Sequence, residues 1–230
     1  MDSTARLAVR PAAAVPAADD PTAPADELLA VCDARGRPQP AGRPRAVVHR
    51  DGLWHRSFHC WVVRATPRGP ALVLQRRSPI KATWPGAWDV SAAGHFRPDE
   101  GLAGGLREIE EELGLRVSAS ELVPLERHRE VLRYPSGLRD REYQDVYLVR
   151  RDEPLSDYRP DPREVTGLVA LLAPAIAALA RGDVPRLLGH GWLLGPEGWS
   201  ERPVQVPRAR LVTRVGRYYE RVARAAAGLV

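Results

Sequence analysis

The 230-residue sequence predicts an α+β domain. Three observations carry that expectation: extended segments outnumber helical ones, one strongly amphipathic helix sits in mid-chain, and that helix follows directly on a glycine-bearing loop. No internal repeat is visible.

Residues 1–26 are rich in alanine and proline without a sustained apolar period, so they read as a disordered tail. From there Glu27 to Asp33 reads as a short strand, and Arg45 to His49 as a second extended piece. Ser57 to Arg64 and Ala71 to Arg76 are strong strand candidates separated by a Pro-Arg-Gly-Pro turn. Trp88 to Ala93 is expected to form one more short strand leading into Gly94. The central helix should run from Leu102 to Leu113 and stop at Gly114. Further strands are expected at Leu122 to Arg133, Glu142 to Val149 and Glu164 to Leu171. Pro174 suits the first turn of a helix that ends at Gly182. Beyond an irregular stretch, Leu211, Val215, Tyr218, Val222 and Ala226 fall at helical spacing, with Arg214, Arg217, Arg221 and Arg224 on the outer side.

Composition narrows the function classes. Two cysteines, Cys32 and Cys60, cannot supply a disulfide framework, and a chain of this size can bury a core without one. No apolar run reaches the roughly 20 residues of a membrane span, so a soluble, cytoplasmic protein with no membrane association is expected. Net charge is +5, yet of 34 basic residues only Lys81 is a lysine, a bias that reads as GC-rich coding. Residues 203–230 carry six arginines and one glutamate, which is the whole of that excess. The basicity is therefore local and argues against a nucleic-acid partner.

The chemistry lies on the central helix. At 100° per residue Leu102, Leu106, Ile109 and Leu113 make one core-facing stripe within about 60°. Glu108, Glu111 and Glu112, spaced i, i+3, i+4, project together from the other side, with Arg107 one turn before Glu111. Crowded carboxylates repel one another, and a hard divalent cation such as Mg²⁺ relieves the repulsion while binding phosphate oxygens. A solvated acidic face is the alternative reading of the same spacing.

Two segments decide between them. Gly94 to Glu100 (GHFRPDE) followed by Arg107 to Leu115 (REIEEELGL) closely resembles the Nudix box, G-x5-E-x7-R-E-U-x-E-E-x-G-U, with U a bulky aliphatic residue. One position departs: six residues rather than seven separate Glu100 from Arg107, so Asp99 competes with Glu100 for the early glutamate. Gly104-Gly105 are poor helix formers placed where the deletion could be absorbed. Arg45 to Trp61 and Arg76 to His95 are also similar to the branch of that superfamily that holds isopentenyl-diphosphate isomerase and its hydrolase relatives.

The resemblance implies an α/β/α sandwich with a mixed sheet over residues 27–185, followed by a C-terminal helical extension at 186–230. It implies Mg²⁺ or Mn²⁺ held by Glu108, Glu111, Glu112 and the carbonyl of Gly94, with Arg107 orienting the carboxylates. Glu108, Glu111 and Glu142 are the candidate catalytic carboxylates, Glu142 reading equally as a hairpin-edge residue; Arg76, Arg77, Lys81 and Trp88 are candidates for binding substrate, with solvated charge for the cations and loop packing for Trp88 as the alternatives. The implied reaction is attack of water on a small-molecule diphosphate, a nucleoside diphosphate linked to another group or a related organic diphosphate. A homodimer is left open.

Two other functions are compatible with the resemblance. Isopentenyl-diphosphate isomerases carry a cysteine just before the Gly-His of the box, where this chain has Ala93, which cannot carry a proton. His49, His55 and His95 match roughly the histidines of the isomerase metal site, or are strand and turn residues bonded locally. A nucleotide-metabolite-sensing regulator is the third, but such proteins usually have a degraded box and this one is intact.

Overall fold

A computed structural model describes residues 26–133 and 139–230. The expected tail at 1–26 lies, but for its last residue, outside them. The described chain forms eleven strands and four helices: β1 (Leu28–Leu29), β2 (Arg43–Pro44), α1 (Arg45–Asp51), β3 (Trp54–Arg64), β4 (Ala71–Arg77), β5 (Trp88–Asp89), β6 (Ala92–His95), α2 (Leu102–Leu113), β7 (Val123–Arg133), β8 (Arg139–Arg150), β9 (Val165–Leu172), α3 (Ala173–Arg181), β10 (Arg186–Gly195), β11 (Gly198–Pro207) and α4 (Tyr218–Ala226).

Nine strands share one mixed sheet in the order β11-β10-β9-β4-β3-β8-β7, with β5 attached to β4 and β6 to β3. The β3–β8 pair is parallel, and the others in the sheet are antiparallel. Because side chains alternate along a strand, each face builds its own core. On one face Trp61, Val63, Leu72 and Leu74 pack with Ile176 and Leu179 of α3 and with Tyr218, Tyr219 and Val222 of α4. On the other, Phe58, Cys60, Val62 and Val73 pack with Ile109 and Leu113 of α2. The result is a helix–sheet–helix sandwich.

Packing outweighs propensity in α2. Gly104 and Gly105 each cost about 1 kcal/mol relative to alanine, whereas burying Ile109 and Leu113 contributes about 1.5–3 kcal/mol apiece. The helix begins and ends where its periodicity predicts, stopping at Gly114 with φ 67°.

Four expectations need correction. Arg45 to His49 is helical, because Val48 packs against Leu29 and Val31 and Gly52 closes the turn at φ 60°. An apolar pair too short to show a period cannot separate strand from helix. Trp88 to Ala93 is two strands rather than one, since β5 bonds to β4 and β6 to β3. The stretch after Gly182 holds the long β10–β11 hairpin, which extends the sheet through β9. Finally, α4 spans only Tyr218–Ala226, so Leu211 and Val215 precede it, and Arg214 is buried rather than outward-facing.

One feature of the sheet makes room for a site. The strands β3 and β4 pair only at Val63–Leu72 and Arg64–Ala71. Farther along, β6 takes the place beside β3 and β5 the place beside β4, and a pocket of about 470 Å³ opens there.

Candidate functional site

One wall of the pocket is the loop–helix unit β6–α2. Glu112 is 4% exposed, and its Oε2 accepts from the Ala93 backbone N–H at 2.9 Å and from Gln75 Nε2 at 3.0 Å. Glu108 rests against Gly94 so closely that a Cβ there would lie 2.0 Å from its carboxyl carbon. Any side chain at position 94 would therefore have to displace the Glu108 carboxyl. Arg107 is the hub of this wall: it reaches Glu108 at 2.9 Å, Glu111 at 2.8 Å and Glu100 at 3.3 Å. Glu100 also accepts from the Arg97 backbone N–H at 2.8 Å, so Glu100 rather than Asp99 takes the early-glutamate place.

The three helix glutamates do not stand alike. Burial pushes Glu108 up to about 7, with Arg107 opposing and Glu111 adding to it. Burial likewise raises Glu112 to about 8, opposed by Lys81. Glu111 sits at the rim with its side chain 53% exposed. Two desolvated carboxyls facing one space are a demand for positive charge, and their all-oxygen donor set suits a hard cation.

A second cluster is assembled from four elements, and its His95, Asp140 and Glu142 line the same pocket. His49 comes from α1, His55 from β3, His95 from β6, and Asp140 and Glu142 from β8. The three imidazole centroids lie 5.1–5.7 Å apart. His55 Nδ1–H donates to the Leu53 carbonyl at 3.1 Å, leaving Nε2 3.6 Å from both Asp140 and Glu142. Nε2 of His55 and Oδ1 of Asp140 are buried without a hydrogen-bond partner. Burial pushes His49 down to about 2 and His95 to about 4, the latter aided by Arg45, so both rings are neutral. Burial opposes charge on His55 too, but Glu142 and Asp140 hold it up.

Glu142 belongs to this second wall. It accepts from Ser57 Oγ and Gln144 Nε2, both at 2.8 Å, and faces His95 Nε2 at 3.6 Å. Against the desolvation of burial, those histidine contacts keep it well below the usual carboxylate range. The histidines, Asp140 and Glu142 offer ligand atoms in two overlapping groups, each within 4.8 Å. Orphaned buried atoms and a mixed N/O donor set fit a divalent transition ion.

Among the cationic candidates, Arg77 and Lys81 line the pocket. Arg77 donates to the Thr83 carbonyl at 3.0 Å and Lys81 to Glu164 at 2.5 Å. The structure does not bring Arg76 or Trp88 there. Arg76 turns to Thr166 at 3.1 Å, because neighbouring strand residues point to opposite faces. Trp88 is 3% exposed in the core beside Leu211, while its neighbour Asp89 lines the pocket. Trp84 also lines it.

Several pocket residues carried no signal in the sequence. Glu130 alternates along β7 like any sheet residue, and Arg214 seemed to belong to a solvated helix face. Asp89 was hidden behind the more conspicuous Trp88.

A family model for the NUDIX domain matches residues 53–185. An uncharacterized Nudix hydrolase of Clostridium acetobutylicum is 32% identical over 156 residues, 68% of this chain and 75% of its own. An isopentenyl-diphosphate Delta-isomerase of Paenarthrobacter aurescens is 35% identical over 164 residues, 70% of this chain and 84% of its own. A crystal structure from Deinococcus radiodurans superposes with a TM-score of 0.52 at 23% identity, covering 68% of this chain and 89% of that one. Among the described residues no helix is long and apolar enough to cross a membrane. With its loop–helix carboxylates on a mixed sheet, the chain belongs to the Nudix family, whose hydrolases act on small-molecule diphosphates.

Proposed function

We propose that the protein is a metal-dependent hydrolase that cleaves the phosphoanhydride of a nucleoside diphosphate linked to another group. The observation that carries this reading is the convergence of Glu108 and Glu112, both desolvated, on a pocket that also presents Arg77 and Lys81. Mg²⁺ or Mn²⁺, held by Glu108, Glu111 and Glu112 with the Gly94 carbonyl, would neutralise the diphosphate and acidify a water. Arg107 holds Glu108 and Glu111 in place by its two short contacts. Arg77 and Lys81 supply cationic contacts for the phosphates. A carboxylate of this cluster accepts the proton of the attacking water. Glu142 serves the second cluster, where His49, His55, His95 and Asp140 suit a second divalent ion.

The second reading is the isomerase reaction, favoured by the histidine cluster and by the relatives that carry that name. Moving a double bond requires a proton donor and acceptor on opposite faces of the allyl unit. Ala93 lines the pocket where the isomerase cysteine would stand, and a methyl group transfers no proton. The hydrolase reading therefore stands first.

The test is a screen of diphosphate compounds with Mg²⁺ or Mn²⁺, reading phosphate release after coupling to a phosphatase. Isopentenyl diphosphate is included, with its allylic isomer assayed separately. Hydrolysis of at least one nucleoside diphosphate derivative is expected; isomer formation without hydrolysis would overturn the assignment.

A further inference from the structure

The family match ends at residue 185, yet the inner wall of the pocket is finished by a segment well beyond it. Residues 211–215 are sewn to that wall by backbone and side chain alike. Val212 N–H donates to the Trp88 carbonyl at 2.9 Å, its own carbonyl accepts from Tyr219 Oη at 2.6 Å, and Val215 N–H donates to Glu130 at 3.0 Å. Arg214 is thereby held between two buried acids. Its Nη2 meets Asp89 at 2.5 Å and its Nη1 meets Glu130 at 3.0 Å, with all three side chains no more than 7% exposed.

These groups line the same pocket as the two candidate metal walls. Gln144 Nε2 bridges Glu130 to Glu142, with 2.8 Å to each, so the wall is continuous with the histidine cluster. His59 adds a further ring, tied through Nδ1 to Tyr218 Oη at 2.9 Å. The apolar side chains lining the pocket are Ala93, Leu132, Val212 and the indole of Trp84, a minority among charged and polar neighbours. A hydrocarbon chain laid on this surface would strip water from ionised groups and return no hydrogen bonds. Hydroxyl groups, by contrast, can both donate to the carboxylates and accept from the guanidinium.

We propose that this C-terminal segment is the specificity element of the pocket: Arg214, clamped by Asp89 and Glu130, makes a wall that selects a diphosphate bearing a hydroxyl-rich group, a sugar or ribose, over one bearing an isoprenoid chain. This rests on the hydrolase reading for the diphosphate and departs from the substrate named for the isomerase relatives. Arg214 is a specificity residue here, without a part in the chemical step.

The experiment uses the full chain with Mg²⁺ and two probes, a nucleoside diphosphate hexose and isopentenyl diphosphate. Melting-temperature rise measures binding; turnover is read as phosphatase-coupled phosphate release for the hexose compound and as direct phosphate release, without phosphatase, for isopentenyl diphosphate. The wild-type protein should favour the hexose compound in kcat/KM by about 100-fold or more, because a hydrocarbon chain would take water from this charged wall and return no hydrogen bonds. R214M and R214K should both narrow that ratio to within about tenfold, R214K because a single ammonium cannot span Asp89 and Glu130 as the guanidinium fork does. Equal or better use of isopentenyl diphosphate by the wild type would overturn the proposal, whether or not R214M folds. No turnover of either compound, with stabilisation by the hexose compound alone, would overturn the hydrolase reading and uphold the selectivity. Equal stabilisation by both would overturn the selectivity itself.

Discussion

The two candidate metal walls solve the same problem in opposite ways. The α2 wall is contiguous in sequence, all oxygen, and raises its buried carboxyls to about 7 and about 8 by burial, so charge there awaits a cation. The strand wall gathers its residues from α1, β3, β6 and β8, and balances itself with imidazole–carboxylate contacts at 3.6 Å. Glu142 is correspondingly held low while Glu112 is pushed high, although both are carboxylates of one pocket. Burial alone does not set the charge state; the neighbour supplied by the fold does.

The contrast predicts unequal sensitivity. If the α2 wall carries the chemistry, E111Q and E112Q should each lower kcat by at least about 100-fold while circular dichroism and melting temperature stay close to wild type. Glutamine keeps an acceptor for Ala93 N–H and Gln75 Nε2, so the local bonds survive. Full activity in both variants would remove the glutamates from the mechanism.

A smaller effect is expected across the pocket. H55A and E142Q should reduce kcat by roughly 10–100-fold and abolish one class of Mn²⁺ site in a calorimetric titration, leaving the Mg²⁺ requirement of the α2 wall intact. Loss of both ion classes together would show that the walls form a single site, and the distinction drawn here would fail.

The smallest effect is on stability. His59 and His128 flank Tyr218, and burial lowers them to about 3 and about 4, aided by Arg214 and Arg221 respectively. The unfolded chain, with histidines near 6.5, takes up protons first as pH falls. Stability present above pH 6.5 is therefore lost toward pH 4, by up to about 1.4 kcal/mol per pH unit for each group. H128Q should flatten that slope in chemical denaturation; an unchanged slope would mean the ring already titrates normally in the folded protein.

Much of the fold was legible because its signals are local. Leu102 to Leu113 declared a helix by its period, and β3, β4, β7, β8 and β9 appeared near their expected places. The misread elements had weak or competing local signals: α1 is seven residues long, and β10–β11 reads as irregular because glycines and polar residues interrupt it. Leu211 and Val215 continued the periodicity of α4 backwards without being helical, which is why Arg214 looked solvated.

What the sequence determined unaided was therefore the carboxylate helix and its glycine-bearing loop, since side chains one helical turn apart must share a face. The histidine cluster, the inward turn of Arg214 and the exclusion of Arg76 and Trp88 were decided by tertiary structure. Those depend on the parallel pairing of β3 with β8, which sets His55 beside Glu142, and on which face each strand turns to the pocket. Pairing of residues 87 positions apart is a long-range event, and no local pattern encodes it.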